Sequence, residues 1–462
     1  MTETPVLPIV RVAVLAYGRI TDMSLPAELP LREIIPAVNR LVPPPDSDDT
    51  VPTPMTLAPV GGVPFSLDAS LDTVGVVDGD LLAVQPVPAG PPSPAVVEDI
   101  ADAAVIFSAA RQRPWGPPRL QLGARLAATV FVVALCAAAV AHRAATGSVV
   151  GLYAVSALAL VTVVAGLLLR TRSARLATQV SAVALAPIAS AFWLAVPGPW
   201  GAAQVMLAAA GVTAWALIVL TQTDDGVALF TTTAVVGTGA LAVAAAAALW
   251  HLPALTLGAA LIVVALVITV SAPGLAAVWA RFPLPVIPAP GDPTPSSPAA
   301  RLLADLPRRV RVAEAHQTGL IAGAVLLSAT GAVMVAGRPE GPGPWGWYLV
   351  VAACAAAVLR ARVWDTAVCK GWLLAAPFLV AGGLLTGYLV DDRFVAALWT
   401  VMVLAALTAV WMVVAVNPDT ASAQRYSLPV RRLVGFLAVA VDASLVPVAV
   451  YLAGIFTWVL DR

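Results

Sequence analysis

Residues 394–416 read FVAALWTVMVLAALTAVWMVVAV, twenty-three positions without a charge. A bilayer core about 30 Å thick is crossed by about 20 apolar residues of helix, and hydrocarbon offers no water to a loose backbone group. Such a run therefore reads as a membrane-spanning helix. Working outward from it, the same pattern recurs along the chain and predicts eleven spans: Leu126–Ala141, Val149–Leu169, Ala174–Val196, Gly201–Leu220, Val227–Trp250, Pro253–Ala272, Thr318–Ala336, Trp345–Leu359, Gly371–Val390, Phe394–Val416 and Leu433–Leu460. With 60% hydrophobic and 11% charged residues in 462, the chain lies outside the globular range of composition and inside that of a polytopic membrane protein.

Basic residues in short loops are retained on the cytoplasmic side, so their distribution sets the expected orientation. Alternate loops carry Arg170, Arg172 and Arg175; Arg281, Arg301, Arg308, Arg309 and Arg311; Arg360, Arg362 and Lys370; and Arg425, Arg431 and Arg432. The opposite loops hold Arg143, Arg338, Arg393 and Arg462. Together with Arg111, Arg113, Arg119 and Arg125 before the first span, this predicts a cytoplasmic N-terminus and, with an odd number of spans, a C-terminus outside. The Met1–Thr4 start is acidic and Ile9–Ala16 is too short for a signal peptide, so the first spans are expected to direct insertion themselves.

The first hundred residues differ in kind from the rest. They hold thirteen acids against Arg11, Arg19, Arg32 and Arg40, an acidic head beside a membrane body that is basic on its inner face. Such a head is a poor binder of nucleic acid or anionic lipid; its acidity suits a basic protein surface or serves solubility alone. Alternation at Val10, Val12, Val14 and Ala16, a Tyr17-Gly18 turn and Arg19–Leu25 predict a two-stranded hairpin. Leu31, Ile34, Ile35, Val38 and Leu41 predict a helix after Pro30, kinked or shortened by Pro36. Strands are expected at Met55–Pro59, briefly at Ser66–Leu67, and at Leu81–Gln85 behind an Asp78-Gly79-Asp80 turn. This order, with its closing SLDTVGVVDGDLLAVQP, resembles a ubiquitin-like β-grasp domain, an α+β fold. The reading thus divides the chain into the head, 1–87; a Pro-rich tether and amphipathic linker helix beginning at Ser93-Pro94 and anchored by Trp115, 88–124; and an all-α transmembrane domain, 125–462, with a cytoplasmic loop at 281–317 that is irregular through Pro298 and holds a short helical turn at Arg301–Leu306 before Pro307.

Ion-coupled transporters and intramembrane enzymes place ionisable groups in mid-span, where their desolvation demands a role. These spans are nearly free of them. The exception is Asp442 in the last span, expected to be structural and bonded to a Ser, Thr or backbone group. His142 and His251 lie at span ends as interface residues, and Cys136, Cys354 and Cys369 lack metal-type spacing, so no catalytic, cofactor or metal site is expected. The pairs Gly319/Gly323 and Gly383/Gly387 fit the small-residue pattern of close helix crossings and are candidate helix-contact positions.

An acidic β-grasp head, a Pro-rich tether, the segment VEDIADAAVIFSAARQRPW and eleven spans together resemble EccD, the polytopic membrane subunit of type VII (ESX) secretion systems. The resemblance covers essentially the whole chain. It implies a non-enzymatic scaffold: a homodimer enclosing a lipid-containing vestibule within a larger hetero-oligomer with the EccC ATPase, EccB and EccE, the head docking the ATPase. Head segments PIVRVAVLA and ELPLREIIPAV point toward the paralogue of the iron-linked system. The alternative is a secondary transporter with a regulatory cytoplasmic head, which would need a mid-membrane polar site beyond Asp442 and mid-span prolines such as Pro187, Pro377 and Pro447.

Orientation is testable by thiol labelling in a background lacking the three native cysteines. Single cysteines at Arg172, Arg309 and Arg431 are expected to resist an impermeant reagent in intact cells, and those at Arg338 and Asp391 to react. The reverse pattern would overturn the orientation.

Overall fold

Alternating apolar residues give the first strand one inward face, and the computed structural model shows what that face packs against. It describes residues 8–16, 19–42, 55–87, 108, 116–282, 300–417 and 427–456. Chain contacts divide it into two units, Met1–Trp115 and Gly116–Arg462. The expected linker helix with its Trp115 anchor, and the Pro-rich stretch of the loop at 281–317, lie outside the described residues.

In the first unit β1 (Ile9–Ala16) pairs antiparallel with β2 (Arg19–Pro26), from Ile9 opposite Pro26 to Ala16 opposite Arg19. Helix α1 (Leu31–Leu41) follows, then β3 (Met55–Pro59) and β4 (Leu81–Pro86). The sheet order is β2-β1-β4-β3, with β1 and β4 parallel and the other pairs antiparallel. This is the expected β-grasp arrangement. Val12, Val14, Leu31, Val38, Leu57, Leu71 and Leu82 fill the space between sheet and helix. Gly79, at φ +94°, makes the turn before β4, and its N–H donates to the Arg11 carbonyl at 2.7 Å.

Two details of the head differ from the sequence reading. Ser66–Leu67 forms no strand. Its neighbourhood caps α1 instead: the Leu31 and Arg32 N–H groups, orphaned at the helix start, donate to the carbonyls of Ala69 and Leu67, each at 2.9 Å. Nor does Pro36 shorten α1, which reaches Leu41. Pro36 sits on the exposed side, where water serves the carbonyl it leaves without a helical partner.

The second unit is helical: α2 (Pro117–Thr146), α3 (Val150–Leu169), α4 (Ala174–Val183), α5 (Leu185–Ala195), α6 (Ala202–Leu220), α7 (Val227–Trp250), α8 (Ala254–Trp279), α9 (Ala300–Ala336), α10 (Gly343–Arg360), α11 (Ala367–Val390), α12 (Phe394–Val416) and α13 (Leu428–Leu452). Helices α4 and α5 make one span with a break at Ala184, so eleven described helices are long and apolar enough to cross a membrane. Several ends move. The first helix starts at Pro117, α8 continues past Pro273 to Trp279, and α13 stops at Leu452 before a turn in which Gly454 has φ +71°.

The largest correction concerns the loop at 281–317. From Ala300 onward it is helix, running through Pro307 directly into the seventh span. Charge supports what proline weakens: Arg309 Nε bonds Asp305 at 2.7 Å, Arg308 Nε bonds Asp224 before α7 at 2.6 Å, and Arg309 also reaches the Arg281 carbonyl beyond α8.

Helix α9 is the axis of this unit. Some 72% of its most apolar stretch is buried, against 6% for α12. It packs against α7, α8, α10 and α11, and glycine decides how closely. A β-carbon on Gly319 would lie 2.5 Å from Thr231 of α7, one on Gly323 2.7 Å from Val235, and one on Gly383 of α11 2.7 Å from Val333. Gly387 has open space around it, so it is not a helix contact within the chain. A closer approach went unread in the sequence: Gly331 and Gly258 face each other so that a β-carbon on either would meet the other's carbonyl oxygen, at 2.5 and 2.6 Å. Beyond α9 the Tyr388 hydroxyl donates to the Ala336 carbonyl at 2.9 Å, and Arg393 donates to the carbonyls of Gly337 and Arg338 at 3.1 and 2.9 Å.

These contacts predict a contrast. Gly319→Leu should lower thermal stability in detergent sharply, because a backbone carbonyl and a β-branched side chain occupy the needed space, whereas Gly387→Leu should leave it nearly unchanged. Equal melting shifts, read by intrinsic fluorescence, would contradict the packing.

Candidate functional site

The helices carry few polar groups, so each one inside the bundle marks a position where chemistry or assembly is concentrated. Asp442 lies in α13, and its partner is not the neutral group the sequence suggested. Arg360, the last residue of α10, meets it with two parallel hydrogen bonds, Nη2 to Oδ2 at 2.7 Å and Nε to Oδ1 at 3.2 Å. Both side chains are about four-fifths buried, with exposures of 19% and 20%. A planar guanidinium facing a carboxylate in this fork geometry is the strongest of the common ion pairs.

The pair is the last of three contacts fastening α13 to α10. Ser444, two residues on, accepts from the Tyr348 hydroxyl at 2.8 Å, and Trp345 meets Tyr451 edge to face at 6.0 Å. Arg360 also borders a small hollow of about 40 Å³, with Thr269, Ser328 and Leu445 in its wall. A second polar contact lies near the start of the seventh span: Thr231 of α7 bonds His316 Nδ1 of α9 at 2.9 Å, and Trp279 of α8 stacks edge-on against the same imidazole. It ties three helices at one point. The sequence reading passed over His316, although an imidazole two residues before a predicted span was the available signal.

His142 and His251, expected at span ends, are both exposed, His142 in the last turns of α2 and His251 just past the end of α7. Cys136 and Cys369 are buried, and Cys354 is half-buried. Among the described residues no three His, Cys, Asp or Glu side chains come together as a metal site would require. What the arrangement can do is hold helices in register. Around it lies much apolar surface: α12 exposes Leu398, Trp399, Met402 and Met412, each more than 60%.

Residues 119–461 match the family described as EccD-like transmembrane domain. The chain belongs to the EccD family. The head, residues 9–84, matches a second family, protein YukD of the WXG100 protein secretion system. Among EccD proteins, the chain is 56% identical to the ESX-3 secretion system protein EccD3 of Mycolicibacterium smegmatis over the full length of both. It is 57% identical to EccD3 of Mycobacterium tuberculosis, over 99% of each chain. The solved structure of protomer 1 of the ESX-3 core complex, 56% identical, superposes with a TM-score of 0.70 over 98% of this chain and all of that one. A chain of the MycP5-free ESX-5 inner membrane complex shares the fold at 21% identity, with a TM-score of 0.57 over 87% and 99% of the two chains. The EccD membrane domain is thus multi-pass, preceded by a ubiquitin-like head.

Because Arg360 is the partner, the charge of Asp442 matters as well as its hydrogen-bonding capacity. Asp442→Asn should leave a guanidinium stranded between helices, costing about 3 kcal/mol, as when one partner of a buried pair is removed. Combining Arg360→Asp with Asp442→Arg should recover part of the lost melting temperature. Additive loss in the double variant would show that the two side chains do not act as a pair.

Proposed function

We propose that this chain is a structural membrane subunit of an ESX secretion complex, non-enzymatic in itself, which holds other subunits in the bilayer. One observation carries the reading: identity of 56–57% with EccD3 proteins extends over the whole chain, head and membrane domain together. Polar groups of the membrane domain that fasten helices to one another fit that role. A transporter would use a mid-membrane acid open to substrate, whereas Asp442 is closed by Arg360.

In the finer reading, two copies pair around a lipid-containing vestibule, with EccC-type ATPase, EccB and EccE subunits completing a hetero-oligomer of the ESX-3 type. The arginine-rich loops and the head face the cytoplasm, and the C-terminus lies outside. The head docks the ATPase. Support comes from its surface, where Asp22, Glu28, Glu33, Asp72 and Asp78 are all exposed on a separately folded unit. Such a surface complements a basic partner and binds it in a salt-dependent way, since exposed charges are screened within about 8–10 Å at moderate ionic strength.

Removal of the head tests this. A chain starting near Pro92 should still insert and pair, yet lose the ATPase on purification and fail to export. Residues 1–87 alone should bind the membrane-proximal part of the ATPase in low salt and release it as salt rises. Full ATPase retention and export without the head would refute the docking role.

A further inference from the structure

Helices α3, α5 and α6 do not close on one another. Between them runs a groove of about 460 Å³ whose wall is almost wholly apolar, from Leu152 and Ser156 to Val163 on α3, with Phe192 on α5 and Trp215 on α6. That volume lies within the range of about 300–1,000 Å³ usual for small-molecule sites. Its length along α3, eleven steps from Leu152 to Val163, is about 16 Å at the helical rise. The shape is built in. Gly211 lets the Phe192 ring lie down on α6, since a β-carbon there would sit 2.2 Å from the ring. Trp215 is fixed in the wall by donating its indole N–H to the Ser181 carbonyl at 2.9 Å.

One end of the groove has a different character. One turn past Ile218 on α6 and two turns past Val163 on α3 lies a hollow of about 80 Å³ of mixed wall, where Arg170, Thr178, Ser181, Gln222 and Thr223 stand beside Ala174, Ala177 and Val219. The same turn of chain carries Arg172 and Arg175, both exposed. Over about 10 Å along α3 the surface therefore passes from cationic and hydrogen-bonding to apolar, at the end of a helix that crosses the membrane. The spacing suits a phosphate at the arginines, a glycerol beside Val163 and an acyl chain beyond.

We propose that this groove is a binding site for one acyl chain of an anionic phospholipid whose phosphate is held at Arg170 and Arg172. The site lies within a single chain and is independent of the secretion role inferred above. The lipid fills space that the three helices leave between them and joins α3 to α5 and α6.

The test uses the full chain in nanodiscs of mixed phosphatidylcholine and phosphatidylglycerol, with a trace of either lipid carrying a photoreactive group in mid-chain. Cross-linked peptides are mapped by mass spectrometry. The phosphatidylglycerol probe should label residues 152–163, 188–195 and 211–218 in preference to exposed α12. Ala195→Phe with Ala214→Phe, both exposed positions that fill the groove, should abolish that labelling while α12 stays as before. Either substitution singly should weaken it, which keeps the test informative if the double variant misfolds. Arg170→Gln with Arg172→Gln should remove the preference for phosphatidylglycerol over phosphatidylcholine. Groove labelling no stronger than on α12, or unchanged in the filled variants, would overturn the site; equal labelling by both probes in the parent chain would overturn its anionic selectivity.

Discussion

Two backbones come within van der Waals reach where Gly258 of α8 faces Gly331 of α9, and the membrane domain is arranged around that approach. Lipid tails are as apolar as leucine, so nothing comparable to the hydrophobic effect in water draws these helices together; dispersion and hydrogen bonds between closely fitted surfaces must do it. Gly319 and Gly323 bring α7 onto one face of α9, and Gly331 brings α8 onto another, twelve residues along and therefore about 120° around the helix. With α7 and α8 seated on its small-residue faces, and α11 brought onto Val333 by its own Gly383, α9 is the most buried of the described spans.

Composition alone yielded the spans, because hydrocarbon imposes one requirement on every residue of a run and the requirement is visible residue by residue. The β-grasp head was legible for a similar reason: Val12, Val14 and Leu57 face one way at a period of two, and the core they form follows from it. What escaped the sequence was pairwise. Asp442 stood out as costly, yet its partner Arg360 is eighty-two residues away and had been counted among the charges of a loop. The segment near Leu67 offered strand-like residues, but its carbonyls were claimed by the first turn of α1. Gly387 fits the small-residue pattern as well as Gly383 does, and only the placement of Val333 separates them. Pro307 marked a helix end by local rule, while salt bridges to Asp305 and Asp224 around it carried the helix through.

Two groups of polar contacts join helices of this unit. Arg308, Arg309, Asp224 and Asp305 join the end of α9 to the approaches of α7 and α8, and His316 repeats the connection slightly deeper. Arg360 and Asp442, with Tyr348 and Ser444, join α10 to α13. In a scaffold this division is useful. Helices α12 and α13 keep broad apolar faces free for other molecules in the membrane, while α13 is still held to the bundle by a pair of charges that lipid cannot replace.

The far end of α9 is closed by atoms that belong to another part of the chain. Tyr388 and Arg393 occupy the carbonyls of Ala336, Gly337 and Arg338, and the guanidinium also lies over the Tyr388 ring, 4.7 Å from its centre. A slide of α11 by a single residue, about 1.5 Å, would uncouple all three oxygens together. The joint therefore behaves as a dowel through a shaft, allowing the rod no axial play. Shifting α9 along its axis would have to carry α11 with it or break those bonds.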